Sequence, residues 1–453
     1  MHDLIKWVSV TLSAVQLAAC TQEQPVEQAD TLLLQHVSII DAAAPQARPG
    51  MSILVIDGRI QAVVPDSEIQ PEEYPAARVL DLSGRYVVPG LVETHAHLAT
   101  YPDPDWAEAM LDRYVMSGVT TVRDMAGDTR YLSDLRRRLL TGQLVGPDLH
   151  FSALMGGPSF FDDPRTQASA AGEQAGAVPW MQAIAPNTDI VQAVALSRGT
   201  GATGIKIYAN LPAEDVMRIG VEAERQNMLV WSHGTIAPAL PADAVAAGVD
   251  VVSHVCMLVS HISPLKPQAY PARPDPDFSV FGDDFSGYAD LFEAMRLQGT
   301  MIDPNLRLYA EADRRREADP SNPPRMRCPL AYASGITRAA HAAGVGLTVG
   351  TDGVAAADAV YPAFFDELEL LQNAAGLTPH EVLVAATRNG ARALGLDSDR
   401  GLVAAGYRAD LVVLARNPLE GTENFRSVEG VVRAGRWLDR SGWSPRSHAL
   451  AGD

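Results

Sequence analysis

The sequence predicts an α/β fold, in which a (β/α)8 TIM barrel is joined to a small β-sandwich domain built by both chain ends. Four observations lead to this prediction. Short apolar strands alternate with helical stretches along the middle of the chain, about eight such strands can be counted, and polar residues suited to chemistry follow several of them. β-rich segments lie toward the two ends. A doubly wound open sheet would share the alternation but not the strand count.

The start of the chain has the pattern of a targeting segment. Residues 1–19 are predicted to be a signal peptide, because a basic residue precedes an apolar run too short to span a bilayer. Small residues before Cys20 resemble the bacterial lipobox, and Thr21 favours sorting to the outer membrane. A plain secretory signal with an incidental cysteine is the alternative. We therefore predict a lipid on Cys20, a tether over 20–30, and export to the periplasm with an outer-membrane anchor.

The small β domain is predicted to comprise 31–86 and 401–446. Its β-rich segments cover 32–40, 52–64, 78–88, 409–415 and 428–438. Asp57 and Gly58 form a dipeptide typical of hairpin turns, and Ala434 with Gly435 supplies a second turn signal. Because similar segments lie at both ends, we expect the two ends to pair into one domain.

The barrel is predicted over 87–400. Its candidate strands cover 88–94, 120–124, 149–154, 204–208, 229–232, 251–253, 300–303 and 346–350. Helices are expected between them, for example over 213–226 and 331–343. The connections 156–187 and 257–299 are unusually long, and long loops after barrel strands tend to form the walls of a substrate site.

The net charge indicates which classes of partner to expect, and the cysteine content bears on the redox state of the cellular compartment. The formal net charge is −19, whereas binding to nucleic acid needs clustered Lys and Arg, so no nucleic-acid partner is expected. Cys256 and Cys328 are the cysteines that follow Cys20. An oxidising compartment would permit a disulfide between them, and two buried free thiols are the alternative.

Polar side chains gather where the predicted strands end. His95 and His97 follow the first strand, and their spacing of two places both imidazoles on one face. The others are Lys206 in the fourth strand, His233 after the fifth, His254 after the sixth and Asp352 after the eighth. Each residue alone has an ordinary structural explanation, but together they converge on the rim where barrel enzymes keep their catalytic groups.

These side chains have the chemistry of a metal centre. Nitrogen and oxygen ligands without thiolate suit zinc or a similar divalent ion. Four histidines and one aspartate exceed the needs of one catalytic ion, which favours two ions. A neutral Lys206 amine can take up carbon dioxide to form a carbamate, whose two oxygens could bridge the ions. An unmodified lysine acting as a point charge is the alternative.

Four motifs resemble those of the amidohydrolase superfamily. They are VPGLVETHAH at 88–97, GVTTVRD at 118–124, GTD at 350–352 and GYRADLVVL at 406–414. The likeness runs from about 32 to 438 and is closest to the imidazolonepropionase-like and Xaa-Pro-dipeptidase-like branch. It implies one ion on His95, His97 and Asp352, a second ion on His233 and His254, and the Lys206 carbamate between them. The strand-four lysine favours the two-metal members, because imidazolonepropionases use one metal and lack it.

The resemblance and the ligands together predict hydrolysis of an amide bond in a small substrate, a dipeptide or an N-acyl amino acid. A hydroxide bridging the two ions would attack the carbonyl carbon, with Asp352 as both ligand and proton shuttle. Hydrolysis of cyclic amides, lactones or other esters, including xenobiotics, is the alternative among enzymes. An inactive metal-binding scaffold lipoprotein is the alternative from another class. By the same resemblance we expect a homo-oligomer.

Three residues are predicted to bind substrate. Tyr208 lies two positions after Lys206 and therefore shares its face of the strand. His261 and Arg307 lie in or next to loops that should border the site. An apolar wall is expected from Phe160, Phe161, Trp180 and Tyr270.

Overall fold

The computed structural model describes residues 31–100, 103–270, 276, 278–324, 327–353 and 359–446. The predicted signal peptide, Cys20 and the tether to residue 30 lie outside the described residues. Within these ranges no helix is both long enough and apolar enough to cross a membrane.

Strands and helices follow one another in the predicted order. The strands are β1 Leu32–Ile39, β2 Arg48–Ile56, β3 Arg59–Pro65, β4 Arg78–Asp81, β5 Tyr86–Pro89, β6 Leu91–Ala96, β7 Val119–Asp124, β8 Asp148–Gly156, β9 Ala177–Val178, β10 Met181–Ala183, β11 Gly204–Ile207, β12 Leu229–His233, β13 Val251–Ser253, β14 Met301–Asp303, β15 Leu411–Leu414, β16 Val428–Arg433 and β17 Arg436–Asp439. The α-helices are α1 Pro104–Met116, α2 Thr129–Leu140, α3 Pro164–Ser169, α4 Ile190–Gly199, α5 Ala213–Arg225, α6 Pro241–Ala246, α7 Val259–Ile262, α8 Ala289–Gln298, α9 Leu306–Ala318, α10 Leu330–Ala342, α11 Phe364–Asn373, α12 Pro379–Val384 and α13 Gly390–Ala393.

The barrel consists of parallel strands in the order β6, β7, β8, β11, β12, β13 and β14. The eighth position is filled by the extended segment 346–350. Its Thr348 amide donates to Ile302 O of β14, and the Thr94 amide of β6 donates to Val349 O, both at 2.9 Å. The predicted (β/α)8 barrel is therefore confirmed, with an eighth strand that is hydrogen-bonded on both sides.

Helix α5 illustrates how the helices pack on the barrel. Its side chains Val216, Ile219 and Ala223 are fully buried. Their spacing of three and four places them on one face, which packs on the barrel strands. Acidic residues occupy the first turn of α5 and Arg225 the last, which suits the helix dipole. Burial of one apolar face thus fixes the helix outside the strands and leaves the barrel rim free for polar groups.

The small domain is one mixed sheet with strand order β17, β16, β15, β5, β1, β2 and β3, and β4 pairs with β1. Both chain ends contribute, as predicted. The β2–β3 turn has Asp57 and Gly58 at positive φ, and the β16–β17 turn has Ala434 and Gly435 at positive φ. A Cβ on Gly435 would lie 2.6 Å from the Gly58 Cα, so the two turns are in contact and the sheet curls around its apolar core.

The prediction of one continuous barrel strand over 88–94 is wrong, because two strands cover this range. It is divided between β5, which pairs with β1 and β15 in the small sheet, and β6, which pairs with β7 in the barrel. Gly90 lies at the break. A Cβ on Gly90 would come within 2.0 Å of Thr120 Oγ1. The Gly90 amide donates a hydrogen bond to Asp410 O. The chain therefore passes between the domains at a position that has no room for a side chain.

Buried ion pairs join the small domain to the barrel. Asp148 at the start of β8 accepts from Arg400 Nη1 and Arg433 Nη2, each at 2.7 Å, and also pairs with Arg408. Asp410 lies 3.2 Å from Arg408 Nε. The arginine and aspartate of the GYRADLVVL motif thus hold the two domains together on the side opposite the barrel's catalytic rim.

Cys256 and Cys328 form a disulfide, with their Cα atoms 6.3 Å apart and 72 positions apart in the sequence. The sequence allowed either a disulfide or two buried free thiols, and the structure has the disulfide. The bond ties the segment after β13 to the residue that precedes Pro329 and α10. It therefore encloses the whole connection that contains β14 and α9.

We expect Cys328→Ala to lower the free energy of unfolding by about 2–5 kcal/mol, because the unfolded chain loses a long covalent loop. Thermal or urea unfolding under non-reducing conditions measures this. As a control, wild-type protein unfolded with reductant should match the variant. Two titratable free thiols in native wild-type protein would contradict the disulfide.

Candidate active site

His95, His97 and Asp352 form a compact cluster at the rim of the barrel. The histidines lie at the end of β6, and Asp352 follows the eighth segment. His97 Nε2 is 2.7 Å and His95 Nε2 is 3.6 Å from Asp352 Oδ1. One ligand atom from each residue lies within 4.8 Å of the others. The predicted first set of ligands is therefore brought together.

The two later histidines extend this cluster into a row. His254 Nδ1 is 3.7 Å from Asp352 Oδ2. The ring centroid of His254 lies 5.1 Å from that of His95 and 4.7 Å from that of His233. His233 Nδ1 is 3.1 Å from Thr235 O. The four predicted histidines thus stand side by side, and both carboxylate oxygens of Asp352 face members of the row.

Lys206 reaches the same place from β11. Its side chain is almost fully buried, and Nζ donates to Ser253 Oγ at 3.2 Å. It lines a cavity of about 80 Å³ together with His95, His97, His254 and Asp352. Burial and the nearby Arg123 guanidinium lower the pKa of Lys206 to about 7. Its amine is therefore far easier to deprotonate than that of an exposed lysine.

Burial also favours neutral rings at two of the histidines. It lowers the pKa of His95, and together with His233 it holds the pKa of His254 well below its ordinary value. At His97 burial lowers the pKa, but the hydrogen bond to Asp352 together with the negative charges of Asp352 and Asp124 outweighs burial, so the pKa is raised. Burial raises the pKa of Asp352, but His95 and His97 outweigh it and hold that pKa well below its usual range.

Two of the ligand residues have a left-handed backbone. φ is +69° at His254 and +45° at Asp352, a conformation that costs a non-glycine residue energy and is common at functional sites. The His254 amide donates to Asp303 O at 2.9 Å and to Asn305 Oδ1 at 3.0 Å, and the Asp352 amide donates to His95 O at 2.9 Å. Neighbouring strands thus hold both side chains toward the cluster.

The sequence analysis missed Asp303, the last residue of β14. It is fully buried, and its Oδ2 lies 2.8 Å from His95 Nδ1. This contact fixes the ring and leaves Nε2 facing the cluster. A Cβ on Gly350 would come within 2.4 Å of Asp303 Oδ1, which explains the glycine of the GTD motif. The missed signal was an acidic residue at the end of the seventh predicted strand.

Glu93 is a second buried carboxylate behind the cluster. It accepts from the amides of His95 and Thr351, at 2.8 and 3.0 Å, and from the Thr351 hydroxyl at 2.9 Å. Burial raises the pKa of Glu93 to about 8. Glu93 thereby ties β6, which carries His95, to the segment that carries Asp352.

An aromatic stack forms one wall of the cavity. Phe160 lies against Tyr208, with ring centroids 4.4 Å apart, and Tyr208 lies against His233 at 4.6 Å. Tyr270 contacts both Phe160 and Tyr208 edge-on. Of the predicted wall residues, Phe160 lines the cavity itself, and Tyr270 packs against the stack without lining the cavity. Phe161 and Trp180 belong to the same apolar cluster but lie behind the residues that line the cavity.

His261 and Arg307 do not line the cavity in the part of the chain that the structure describes. His261 lies in α7, where its Nε2 is 3.0 Å from Asp290 Oδ1 and its ring packs on Tyr288. The Arg307 guanidinium lies against Gly353, and its amide donates to Glu367 Oε2 at 2.7 Å. Both lie near the predicted loops, but local partners hold them outside the pocket.

The donor set suits divalent metal ions. Imidazole nitrogens and carboxylate oxygens are the ligands that zinc and related ions accept, and the described cluster has no thiolate. His95 is buried, and His97 and Asp352 are partly buried. Asp303 fixes the His95 ring and Glu93 fixes the His95 backbone, as outer contacts usually fix metal ligands.

Comparison with known proteins agrees with this geometry. The model of the amidohydrolase family matches residues 86–438. The chain belongs to the amidohydrolase family. It is accordingly a metal-dependent hydrolase that acts on C–N bonds.

The chain is similar over most of its length to three other proteins. Ochratoxinase of Aspergillus niger is 24% identical over 484 residues, which cover 94% of this chain and 92% of that protein. The structure of a putative prolidase from Bifidobacterium longum matches with a TM-score of 0.67 and 26% identity, over 93% of this chain and 96% of the other. A Xaa-Pro dipeptidase with bound methionine matches with a TM-score of 0.68 and 21% identity, over 90% and 100%. The predicted superfamily and branch are confirmed.

We expect Asp303→Asn to weaken binding of zinc by the metal-free protein about 10- to 100-fold, because His95 loses the carboxylate that orients it. Titration with a fluorescent zinc competitor measures this without a substrate. The matched control is Asp290→Asn, which removes a carboxylate from His261 outside the cavity and should leave zinc affinity unchanged. An unchanged zinc affinity in Asp303→Asn would contradict the role of Asp303.

Proposed function

We propose that this amidohydrolase cleaves the amide bond of a small substrate, a dipeptide or an N-acyl amino acid. The observation that carries the proposal is the row of four histidines with Asp352 and Lys206 beside a cavity walled by aromatic rings. The names of the prolidase and Xaa-Pro dipeptidase neighbours denote cleavage of dipeptides, which favours the same class of substrate here.

The ligands divide into two groups. We infer that His95, His97 and Asp352 hold one divalent ion and that His233 and His254 hold a second. Lys206 lines the cavity with His95, His97, His254 and Asp352, so we further infer that its amine is carboxylated and that the carbamate would help to hold both ions. Zinc would fit these donors best. Such ions would lower the pKa of a water molecule toward neutrality and polarise a carbonyl oxygen.

Asp352 is placed to move the proton. Its Oδ1 faces His95 and His97 and its Oδ2 faces His254, so the carboxylate lies across the centre of the cluster. It accepts a proton from the attacking water and delivers it to the nitrogen of the leaving amine as the C–N bond breaks. The aromatic stack of Phe160, Tyr208 and Tyr270 positions the substrate beside it.

We also propose that the protein is exported and acts in the periplasm, anchored by a lipid on Cys20. The Cys256–Cys328 disulfide supports export, because such bonds form and persist in oxidising compartments.

Metal content tests the two-ion site. We expect about two equivalents of zinc per chain in protein purified without chelator, and a clear fall in Lys206→Ala. Lys266→Ala is the matched control, because Lys266 donates to backbone carbonyls outside the cavity. One equivalent in wild-type protein, unchanged in Lys206→Ala, would remove the bridge from the mechanism.

A substrate panel tests the reaction. Zinc-loaded protein should release amines from dipeptides and N-acyl amino acids, and Asp352→Asn should lower kcat by about 10²- to 10⁴-fold. Turnover of esters or lactones without turnover of amides would favour the other hydrolase class. If metal-loaded protein is inactive on the whole panel, the result would favour the alternative that the protein is an inactive metal-binding scaffold. Full turnover by an Asp352→Asn variant that keeps its metals would contradict the proton shuttle.

A further inference from the structure

The turn Val255–Leu258 lies directly behind the two later histidines of the row. It follows His254 in the chain, and the Met257 amide donates to His254 O at 2.8 Å, which closes the turn. It also packs on the residue after His233, because a Cβ on Gly234 would lie 2.6 Å from Met257 Cβ and 2.8 Å from His254 O. The turn therefore contacts the segments that carry both histidines.

The orientation of the His233 ring depends on this turn through Thr235. The Thr235 hydroxyl donates to Met257 O at 2.7 Å, and His233 Nδ1 lies 3.1 Å from Thr235 O. A carbonyl that accepts from Nδ1 fixes an imidazole ring and leaves its Nε2 for a ligand. A displacement of the turn would therefore be transmitted to the ring of His233.

His254 depends on the same turn more directly. Its left-handed backbone, with φ at +69°, persists only where the surrounding structure holds it. The His254 amide donates to Asp303 O and to Asn305 Oδ1, and the Cys256 amide donates to the Tyr309 hydroxyl at 3.2 Å. These bonds hold the turn against β14 and α9.

The disulfide fastens the turn to a third element, helix α10. Cys328 lies two positions before this helix, in which Ala333 and Ile336 are fully buried. The Leu330 amide at the start of the helix donates to Asp313 Oδ2 of α9 at 2.8 Å. The half of the disulfide that is remote from the site thus belongs to a well-packed helix, and the other half belongs to the turn behind the histidines.

The first set of ligands has separate supports. Asp303 fixes the ring of His95, and the Asp352 amide donates to His95 O. The Thr100 hydroxyl lies 3.2 Å from His97 Nδ1. These contacts come from β14, from β6 and from the residues that follow β6. Loss of the disulfide should therefore disturb the two later histidines and leave the first set of ligands in place.

We propose that the Cys256–Cys328 disulfide positions His233 and His254 and thereby sets the affinity of the second metal position. This inference rests on the proposed two-ion site and goes beyond it, because it makes occupancy of that position depend on a redox state. When the bond forms, the two thiols give up two protons and two electrons to a disulfide-bearing oxidant, which becomes two thiols. The chain thus completes its metal site only in an oxidising compartment.

The double variant Cys256→Ala/Cys328→Ala tests the positioning role without thiols that could bind zinc themselves. In competition titrations of metal-free protein, zinc affinity at the second position should fall about 10- to 100-fold, and affinity at the first should change less than about 3-fold. His254→Ala, which removes a ligand, identifies the second position. Amide hydrogen exchange over residues 254–258 of the metal-free double variant should also be faster than in wild-type protein.

Arg433→Ala is the control for a general loss of stability. It breaks the ion pair with Asp148 between the two domains, far from the turn, and should lower stability while keeping both zinc affinities. All proteins are compared at a temperature at which circular dichroism shows them to be folded.

Refolded wild-type protein tests the redox dependence. Refolding with a phosphine reductant leaves both thiols free, and refolding with oxidised glutathione forms the disulfide. The oxidised protein should hold the second zinc ion about 10- to 100-fold more tightly than the reduced protein. The double variant should give one and the same result in both buffers.

Wild-type affinities at both positions in the double variant would overturn this inference and leave the two-ion site intact. An equal loss of the second ion in Arg433→Ala would also overturn it, because general destabilisation would then explain the loss. If oxidised wild-type protein binds a single ion, the two-ion proposal fails, and the inference fails with it.

Discussion

The extended segment 346–350 closes the barrel, and the rest of the site depends on this closure. The segment has hydrogen bonds to β14 on one side and to β6 on the other, and it ends beside Asp352. Glu93 strengthens the same seam from behind, because it accepts from the amides of both His95 and Thr351. If the seam opened, Asp352 would lose its fixed distance to His95 and His97. Strand β6 and the segment 346–350 thus act as one structural unit.

The floor of the site holds an unusual number of buried acidic groups. Asp303 and Glu93 are fully buried and Asp352 is partly buried, while the fully buried Arg123 guanidinium lies near Lys206. Burying several carboxylates is costly unless they are protonated, paired or coordinated to cations. Glu93 meets this requirement through three accepted hydrogen bonds, and Asp303 through its contact with His95. At Asp352 the histidines lower the cost, and divalent ions would lower it further.

Much of the fold and the ligand set could be predicted because the signals are local. Strand periodicity, the spacing of His95 and His97, and the turn residues Asp57 and Gly58 need no knowledge of distant contacts. Asp303 could not be assigned in this way, because it acts on the ring of His95, which is 208 positions away in sequence. His261 shows the opposite case. Its position in a predicted loop led to the prediction that it binds substrate, but Asp290 from another helix holds it away from the cavity.

The strand order of the small sheet has a consequence for biosynthesis. β5 lies between β1 and β15, and β15 is followed by β16 and β17 near the end of the chain. Until residue 414 has been translated, this edge of β5 lacks β15, and until residue 433 has been translated, Asp148 lacks at least one of the arginines at 400, 408 and 433. An open apolar strand edge promotes aggregation. A nascent chain of this protein therefore exposes an unpaired strand edge until β15 has been made, and truncations that remove β15 should lower solubility more than loop deletions of comparable length.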